Sequence, residues 1–363
     1  MKAQTIMPLL KTIGPLAGLV FAWGLFAFLA GSDFTSLGNA RLMLLQAAVV
    51  GTAAVGATII IITGGIDLSV GSTIALGTVI TALLLQAGFS PAVAAIGAIG
   101  IALVVGVVIA GLVVGQAGKI AALAIAALFA SAIGQSAGLT AGLITFFAGG
   151  IFLWRMASAW VPRLELVPFV VTLALWGTLR GLAKGVADNQ GVYPENTGWL
   201  GNLMVSGDTT LAPGVWILFL VSAAFAALLR WTPLGRHFFA VGSNQEAARL
   251  CGIRVNKVKL LAYVLGVGCA GIAALLQFSF LSMGDPTTAE GYELRVIAAV
   301  VIGGASLSGG EGSILGTLIG ALIMVIVDNG CTKMGLENWV QDVVTGGIIL
   351  AAVLVDRARH LKT

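Results

Sequence analysis

The stretch LMLLQAAVVGTAAVGATIIIITGGIDLSVGS, residues 42–72, decides the fold. Its first part is a run of apolar and small residues long enough to cross a bilayer as a helix, which takes about 20 residues. Asp67 interrupts the pattern, and it is the only charged residue between Arg41 and Lys119. A charge at bilayer depth costs about 2.5–3.5 kcal/mol even on the lenient insertion scales. The stretch therefore predicts a membrane helix that ends at a sharply marked break.

Composition indicates the same class of protein. The chain has 363 residues, of which 58% are hydrophobic and only 9% are charged, whereas soluble domains carry about 25% charged residues. In lipid, an α-helix satisfies its own backbone hydrogen bonds. We therefore expect an all-α, polytopic membrane helix bundle that forms a single transmembrane domain over residues 1–363. The net charge of +4 is attributed to basic loops between spans and not to a nucleic-acid partner.

Twelve apolar stretches are candidate spans of the expected length. Two of them, at 120–135 and 137–154, are interpreted as an inserted helical hairpin over residues 119–159. The other ten form the core of the predicted bundle: 12–30, 42–63, 72–88, 91–117, 166–184, 214–229, 258–282, 292–307, 313–330 and 341–355.

Clusters of basic residues predict the orientation of the bundle. The segment 230–259 contains six lysines and arginines against one acid, Glu246, and the tail adds Arg357, Arg359 and Lys362 against Asp356. By the positive-inside rule both regions, and with them both chain termini, are expected in the cytoplasm.

Other charges bear on this orientation. Residues 185–229 contain Asp188, Glu195 and Asp208 but no lysine or arginine, so their loop is expected outside. Arg180 and Lys184 would then lie at the outer end of their helix, against the rule. Three more basic residues fall inside if 119–159 is a hairpin: Lys119, Arg155 and Arg163.

The stretch around Asp67 has an echo later in the chain. Residues 64–71 and 303–310 share the pattern G-G-x-x-L-S-x-G, and each follows one apolar helix and precedes another. Transporters often break helices at corresponding positions of an internal repeat. Shared turn chemistry in a chain with 50 glycines explains the pattern equally well, so the sequence leaves both interpretations open.

Residues 242–253, GSNQEAARLCGI, predict a short amphipathic helix. Asn244 is a favoured N-cap, Glu246 suits the positive end of the helix dipole, and Gly252 is a favoured terminator. A helix of this kind on a connecting loop favours docking of a cytoplasmic partner over a simple basic loop on lipid headgroups. Three residues would form its small apolar face: Ala247, Ala248 and Leu250.

No catalytic residues are expected. Residues 307–311, LSGGE, resemble the signature loop of ABC ATPases, but the chain has no G-x-x-x-x-G-K-[ST] phosphate loop. The three cysteines are scattered along the chain, and no nucleophile, base and orienting group can be assembled. We expect a non-catalytic chain with no cofactor and no metal site.

Three stretches, in this order, resemble the membrane permeases of bacterial ribose-, xylose- and galactose-type ABC importers: residues 64–72, the Glu246-Ala247-Ala248 segment with Gly252, and residues 291–313. The resemblance covers about 40–118 and 162–356, and residues 119–159 depart from the usual pattern. It implies a multi-pass permease of the bacterial inner membrane that pairs with a second permease subunit, identical or different. It also implies two cytoplasmic ATPase subunits and a periplasmic sugar-binding protein, which sets most of the sugar selectivity.

Three groups of candidate site residues follow. The helix that couples to the ATPase would comprise Gly242, Asn244, Glu246, Ala247, Ala248 and Gly252. The helix break beside the pathway would comprise Gly64, Gly65, Asp67, Ser69 and Gly71. A candidate gate would comprise Glu293, Gly303 and Gly304.

Two acidic residues retain alternative interpretations. Asp67 is interpreted as a structural pin at the helix break, with Ser69 and Ser72 capping the next helix; the alternative is an ion site in a stand-alone, ion-coupled secondary transporter. Glu293 is interpreted as a partner of its helix dipole or of Arg295, and the alternative is a gate or a substrate contact.

Overall fold

The computed structural model describes residues 2–162, 164–207 and 210–360. Three charged residues on which the expected orientation depends lie outside these ranges: Arg163, Asp208 and Lys362. Within them the chain forms fourteen α-helices and one 3₁₀ helix, Gly198–Asn202, and this confirms the all-α bundle. The α-helices are α1 Lys2–Thr35, α2 Leu37–Ile62, α3 Val70–Gln86, α4 Pro91–Val113, α5 Ala117–Ala137, α6 Leu139–Trp160, α7 Pro168–Val186, α8 Pro213–Trp231, α9 Pro233–Ser243, α10 Gln245–Leu250, α11 Val255–Leu281, α12 Tyr292–Ile302, α13 Ile314–Lys333 and α14 Asn338–His360.

Seven helices in the described part of the chain are long and apolar enough to cross a membrane. They are α2, α4, α7, α8, α11 and α13, together with the part of α1 from Gly14 to Thr35. Each lies within a few residues of a span expected from the sequence, because the length of an apolar run is a local property. The chain is a multi-pass membrane protein.

Helices α2, α11 and α13 form the centre of the bundle and are mostly buried, whereas α1, α7 and α8 are mostly exposed. Helix α11 packs against α2, α3 and α4, and α13 packs against α1, α2 and α12. Helices α2 and α11 approach closely at Gly56, where a side chain would collide with the carbonyl oxygen of Gly266. Small residues permit such approaches, and the resulting packing is what holds helices together in lipid.

Two of the expected spans, 72–88 and 292–307, correspond to helices that are too short to cross a bilayer straight. Helix α12 has 11 residues, about 16 Å at 1.5 Å per residue, against a hydrocarbon core of about 30 Å. The expected span at 292–307 is therefore wrong: the helix ends at Ile302 because Gly304 adopts a left-handed conformation with φ +92°. Helix α3 has 17 residues and begins only after the break that contains Asp67.

Polar side chains tie α2 to α13. The amide nitrogen of Asn39 donates to Oδ1 of Asn329 at 2.8 Å, and Asn329 returns a bond to Asn39 at 3.0 Å. The hydroxyl groups of Thr58 and Thr317 share a hydrogen bond of 2.7 Å. All four residues are buried. Since the early residue of α2 meets the late residue of α13, the two helices run antiparallel.

Residues 119–159 lie in α5 and α6, which pack against each other. The turn between them is at Gly138, whose φ is +91°. The ammonium group of Lys119, at the start of α5, lies 5.1 Å from the ring centroid of Trp154 in the second half of α6. This contact links the two helices at the end opposite their turn. That the two helices cross the membrane stays a prediction.

Candidate functional site: two helix breaks and the segment beside them

The first break begins where α2 ends. Gly64 has φ +78°, a left-handed conformation that is strained for residues with a side chain. The N–H of Gly65 donates to the carbonyl oxygen of Ile60 at 2.9 Å, and the N–H of Gly64 donates to Ile61 at 2.9 Å. This is a glycine-terminated helix end of the Schellman type, and it turns the chain out of the helix before Asp67.

Asp67 organises the chain between the break and α3. Its Oδ1 accepts hydrogen bonds from the N–H of Ser69 at 2.8 Å and from the hydroxyl of Ser69 at 2.6 Å. The side chain is 4% exposed. These bonds are local and hold a turn, which agrees with a structural pin, although the role itself stays a prediction.

The expected capping of α3 by serine hydroxyls is wrong. Ser69 occupies the N-cap position, but its side chain does not cap the helix, because its hydroxyl donates to Asp67 instead. The hydroxyl of Ser72 donates to the backbone oxygen of Trp176 on α7 at 2.8 Å. Both hydroxyl groups therefore donate to acceptors elsewhere: the carboxylate of Asp67 and the backbone oxygen of Trp176.

The second break follows α12 and repeats the geometry of the first. Gly304 has φ +92°, and the N–H of Ala305 donates to the carbonyl oxygen of Val300 at 3.1 Å. Helix α13 then starts at a true cap, where the hydroxyl of Ser313 accepts from the N–H of Gly316 at 3.4 Å. Gly304 therefore corresponds to Gly64, whereas the shared sequence pattern pairs Gly64 with Gly303. The structural equivalence is offset from the sequence echo by one residue.

The two breaks touch each other and the end of α9. The N–H of Gly310 donates to the carbonyl oxygen of Ile62 at 2.8 Å. A side chain at Gly242 would collide with that same carbonyl oxygen, and one at Gly309 would press against the backbone of Gly64 and Gly242. Backbone therefore lies against backbone at this point, and the structure brings together residues from the first break, its echo and the coupling segment.

Helix α10 lies immediately after this contact. The side chain of Asn244 accepts from the N–H of Ala247 at 2.9 Å, which confirms the expected N-cap. Gly252 follows the helix with φ +82°, as expected for its terminator. The first-turn Glu246 forms an exposed ion pair of 3.2 Å with Arg249.

The expected apolar face of α10 is divided between two sides of the helix. Ala248 is buried, in a cluster with Phe238 of α9 and Val255 of α11. Leu250 is 89% exposed, and Ala247 is exposed as well. A helix of six residues makes fewer than two turns, so one alanine is enough to hold it while a leucine remains open to a partner.

Glu293 of α12 lies at the junction of the two short helices. It is 8% exposed, and its Oε2 occupies the space that a side chain at Gly71 of α3 would need. The expected ion pair with Arg295 is wrong, because Arg295 forms its ion pair with Asp328 of α13, at 2.9 Å, and donates a hydrogen bond of 3.1 Å to it. The position of Glu293 in the first turn of α12 agrees with a partner of the helix dipole.

Two residues of α7 complete this junction, and neither was among the site residues expected from the sequence. The indole of Trp176 and the guanidinium of Arg180 both lie close enough to interact with the Glu293 carboxylate. Within the described residues, neither Nε1 of Trp176 nor Oε2 of Glu293 makes a hydrogen bond of good geometry. Arg180 donates to the carbonyl oxygens of Pro286 and Thr288 at 3.0 and 2.6 Å.

Arg180 points into the protein, where it hydrogen bonds to the segment between α11 and α12 and lies near the Glu293 carboxylate. An arginine within an apolar helix often marks a functional site. This position in the sequence could therefore have identified Arg180 as a candidate site residue. Among the described residues no three histidine, cysteine, aspartate or glutamate side chains come close enough to hold a metal ion.

The fold and the site define a polytopic membrane transport protein with two broken helices of the kind that transporters use. Comparison with known proteins makes the class specific. The family described as "branched-chain amino acid transport system / permease component" matches residues 39–353, and the chain belongs to this family. It is a permease component and not an enzyme.

Its relatives include import permeases for ribose and for autoinducer 2. The chain is 35% identical over 332 residues to the ribose import permease protein RbsC of Escherichia coli (strain K12), which covers 90% of this chain and 88% of the relative. It is 32% identical to RbsC of Bacillus subtilis (strain 168), over 96% and 94% of the two chains. It is also 28% identical to the autoinducer 2 import system permease protein LsrC of Photorhabdus laumondii, over 97% and 91%. No solved structure matches. The resemblance to carbohydrate ABC importer permeases is thereby confirmed.

Proposed function

We propose that this chain is the membrane-spanning permease of an ATP-driven importer that moves a monosaccharide of the ribose, xylose or galactose type into the bacterial cytoplasm. The observation that carries the proposal is the likeness to the ribose import permease of E. coli over 90% of the chain. The permease acts with two cytoplasmic ATPase subunits, a periplasmic sugar-binding protein and a second permease subunit in the inner membrane.

The ATPase docks on α10. Leu250 offers an exposed apolar side chain, and the pair of Glu246 and Arg249 beside it offers both signs of charge. The N-cap Asn244 and the terminator Gly252 keep the helix short and fixed in direction. This placement puts α10, both breaks and both chain termini towards the cytoplasm.

Movement of α10 reaches the pathway through backbone contacts. Gly242, in the last turn of α9, lies against Ile62 and Gly310, so a displacement of the coupling segment pushes directly on both breaks. Packed elements of this kind switch between discrete arrangements and do not deform continuously. ATP-driven closure of the ATPase pair favours one arrangement because the ATPase binds the two arrangements with different affinity.

The short helices α3 and α12 are the moving parts of the gate. Their N-terminal ends meet at Gly71 and Glu293, in the interior of the bundle. Gly303 and Gly304 end α12 and allow it to pivot. A change at the breaks therefore opens or closes the passage where the two half-length helices face each other.

One observation favours a second candidate, the ion-coupled transporter. Oδ2 of Asp67 and Oε2 of Glu293 are buried and have no hydrogen-bond partner among the described residues, and the two carboxyl groups lie within electrostatic range of each other. Buried acids of this kind also form ion sites in secondary transporters. We rank this candidate second because it assigns no role to α10.

Transport by purified components separates the two candidates. The permease is reconstituted in vesicles with its ATPase and binding protein, and uptake of radiolabelled ribose, xylose and galactose is measured. The proposal expects uptake of one of these sugars that needs ATP and the binding protein and survives an ionophore. Uptake by the permease alone that collapses with an ionophore would establish the ion-coupled transporter instead.

A further inference from the structure

A cavity of about 400 Å³ lies beside α10, where α7 and α11 begin. Three segments line it: Glu165 before α7, Arg249 in the last turn of α10, and residues 253–257 at the start of α11. Ligand sites usually have volumes of about 300–1,000 Å³. The cavity is therefore large enough for a small ligand group, and its lining includes no residue of the two helix breaks.

The cavity and its surroundings carry an excess of positive charge. Arg249 pairs with Glu246 at 3.2 Å, and Lys259 lies within electrostatic range of Glu165. The basic residues still outnumber the acidic ones: Arg249, Arg254, Lys257 and Lys259 against Glu165 and Glu246. Each of these two acids has a basic neighbour, so Arg254 and Lys257 provide the excess. Such a lining favours an anion.

The start of α11 also favours an anion. The first turn of a helix carries positive partial charge, which attracts acids and repels cations. Here Arg254 occupies the N-cap position, the first turn contains Lys257 and no acid, and no side chain in the described part of the chain caps the helix. An anion in the cavity would balance the two side chains and the helix dipole together.

The surface next to the cavity is apolar and open. Helices α7 and α11 are long enough to cross a membrane, and both begin at the cavity, which places it at the level of lipid headgroups. Leu261 lies on the same face of α11 as Lys257, one turn further along, and is 40% exposed. Val167, two residues after Glu165, is 63% exposed. A charged cavity that continues into open apolar surface matches the headgroup and acyl chains of one phospholipid.

We propose that this cavity binds the headgroup of one anionic phospholipid. The lipid phosphate accepts hydrogen bonds from the guanidinium of Arg254 and the ammonium group of Lys257, and the acyl chains lie against Leu261 and Val167. Basic pockets at the cytoplasmic ends of membrane helices suit such headgroups. An acidic side chain of the ATPase would use the same cations but would leave the adjoining apolar surface uncovered. This site goes beyond the proposed function and is independent of which sugar is carried.

Arg254→Gln combined with Lys257→Gln tests the site in the complete chain. The detergent-purified protein is mixed with phosphatidylglycerol or with phosphatidylcholine, and bound lipid is measured by native mass spectrometry. The unaltered chain should bind one phosphatidylglycerol more tightly than phosphatidylcholine. The double variant should bind it about 30-fold more weakly, which corresponds to about 2 kcal/mol for two cations. Its melting temperature without lipid should stay the same or rise, because two cations leave a helix N-terminus.

Arg230→Gln combined with Arg236→Gln is the matched control. It removes the same charge from two exposed residues of the same basic segment, and neither residue lines the cavity. This variant should bind phosphatidylglycerol as the unaltered chain does. Equal losses in the two double variants would show a general attraction of basic loops to anionic lipid and would overturn the site. Equal binding of the two lipids by the unaltered chain would overturn it as well.

Two further measurements separate the lipid from other anions. Millimolar inorganic phosphate should not displace phosphatidylglycerol when ionic strength is held constant with sodium chloride; displacement would identify a site for soluble phosphate instead. A double variant at Arg254 and Lys257 that keeps the lipid but loses the ATPase on purification would assign these cations to the ATPase. Either result overturns the lipid site. Lipid binding is measured without transport, so its outcome is distinct from that of the proposed function.

Discussion

The N–H of Gly310 donates a hydrogen bond of 2.8 Å to the carbonyl oxygen of Ile62, and this bond joins the two helix breaks of the bundle. The last carbonyl groups of a helix have no partner within it, so the end of α2 needs a donor from elsewhere. Gly310, with φ +76°, provides that donor in a backbone conformation that a residue with a side chain rarely adopts. The breaks are thus held as one unit.

Gly242→Ala should destabilise this unit. A Cβ at this position collides with the carbonyl oxygen of Ile62, and overpacking of this kind costs about 1–3 kcal/mol. We expect a lower melting temperature in detergent and ATP hydrolysis that no longer drives uptake. Gly177→Ala on α7, where a Cβ meets nothing within 4 Å, is the control and should not be destabilised. Equal melting temperatures for the two variants would contradict the close contact.

Leu250→Asp should separate folding from docking. Leu250 is 89% exposed, and surface substitutions usually change stability by no more than about 0.5 kcal/mol. We expect normal insertion and melting temperature but loss of the ATPase from the purified complex. Val205→Asp, at an exposed residue of the loop before α8, should retain the ATPase. Copurification of the ATPase with both variants would exclude α10 as the docking helix.

Asp67→Asn and Asp67→Ala should differ. The asparagine retains the oxygen that accepts both hydrogen bonds from Ser69, so we expect near-normal stability and uptake. The alanine leaves the N–H and hydroxyl of Ser69 unpaired, which costs about 1–3 kcal/mol and should lower the melting temperature. Loss of uptake in a stable, assembled Asp67→Asn variant would instead support an ion site.

Asn39 and Asn329 should be energetically coupled. Their amide groups exchange two hydrogen bonds inside the bundle, and interhelical bonds of this kind average about 0.6 kcal/mol and reach about 1.7 kcal/mol in membrane proteins. We expect the double alanine variant to be less destabilised than the sum of the single variants. Denaturation of all four proteins measures this coupling, and strict additivity would mean that the pair contributes nothing.

Features that depend on neighbouring residues were predictable. The capping of α10 by Asn244 follows from a side chain that reaches an N–H three residues away, and its end at Gly252 follows from the freedom of glycine to adopt positive φ. The positions of α2, α4, α8 and α13 were predictable too, because an apolar run is also a local feature of the sequence. Each signal lies within a short window of sequence.

Features that depend on competition between partners were mispredicted. Ser69 and Ser72 have the chemistry of helix caps, but Asp67 and the backbone of Trp176 take their hydroxyl groups. Arg295 stands near Glu293 in sequence yet pairs with Asp328, which is 33 residues away. Hydropathy alone also extended the expected span beyond Ile302, because the glycines that end α12 lie between apolar residues in the sequence.

By itself the sequence determined that this chain is a helical membrane protein, where most of its helices run, and that a break follows α2, since hydrophobic length and turn chemistry act locally. Only the tertiary structure decided that the break meets its echo through Ile62 and Gly310, that Gly64 corresponds to Gly304, and that Arg180 points inward. Those relationships join residues that are far apart in the chain. They form because the backbone groups at the end of a broken helix have no partner within that helix and must hydrogen bond to another element.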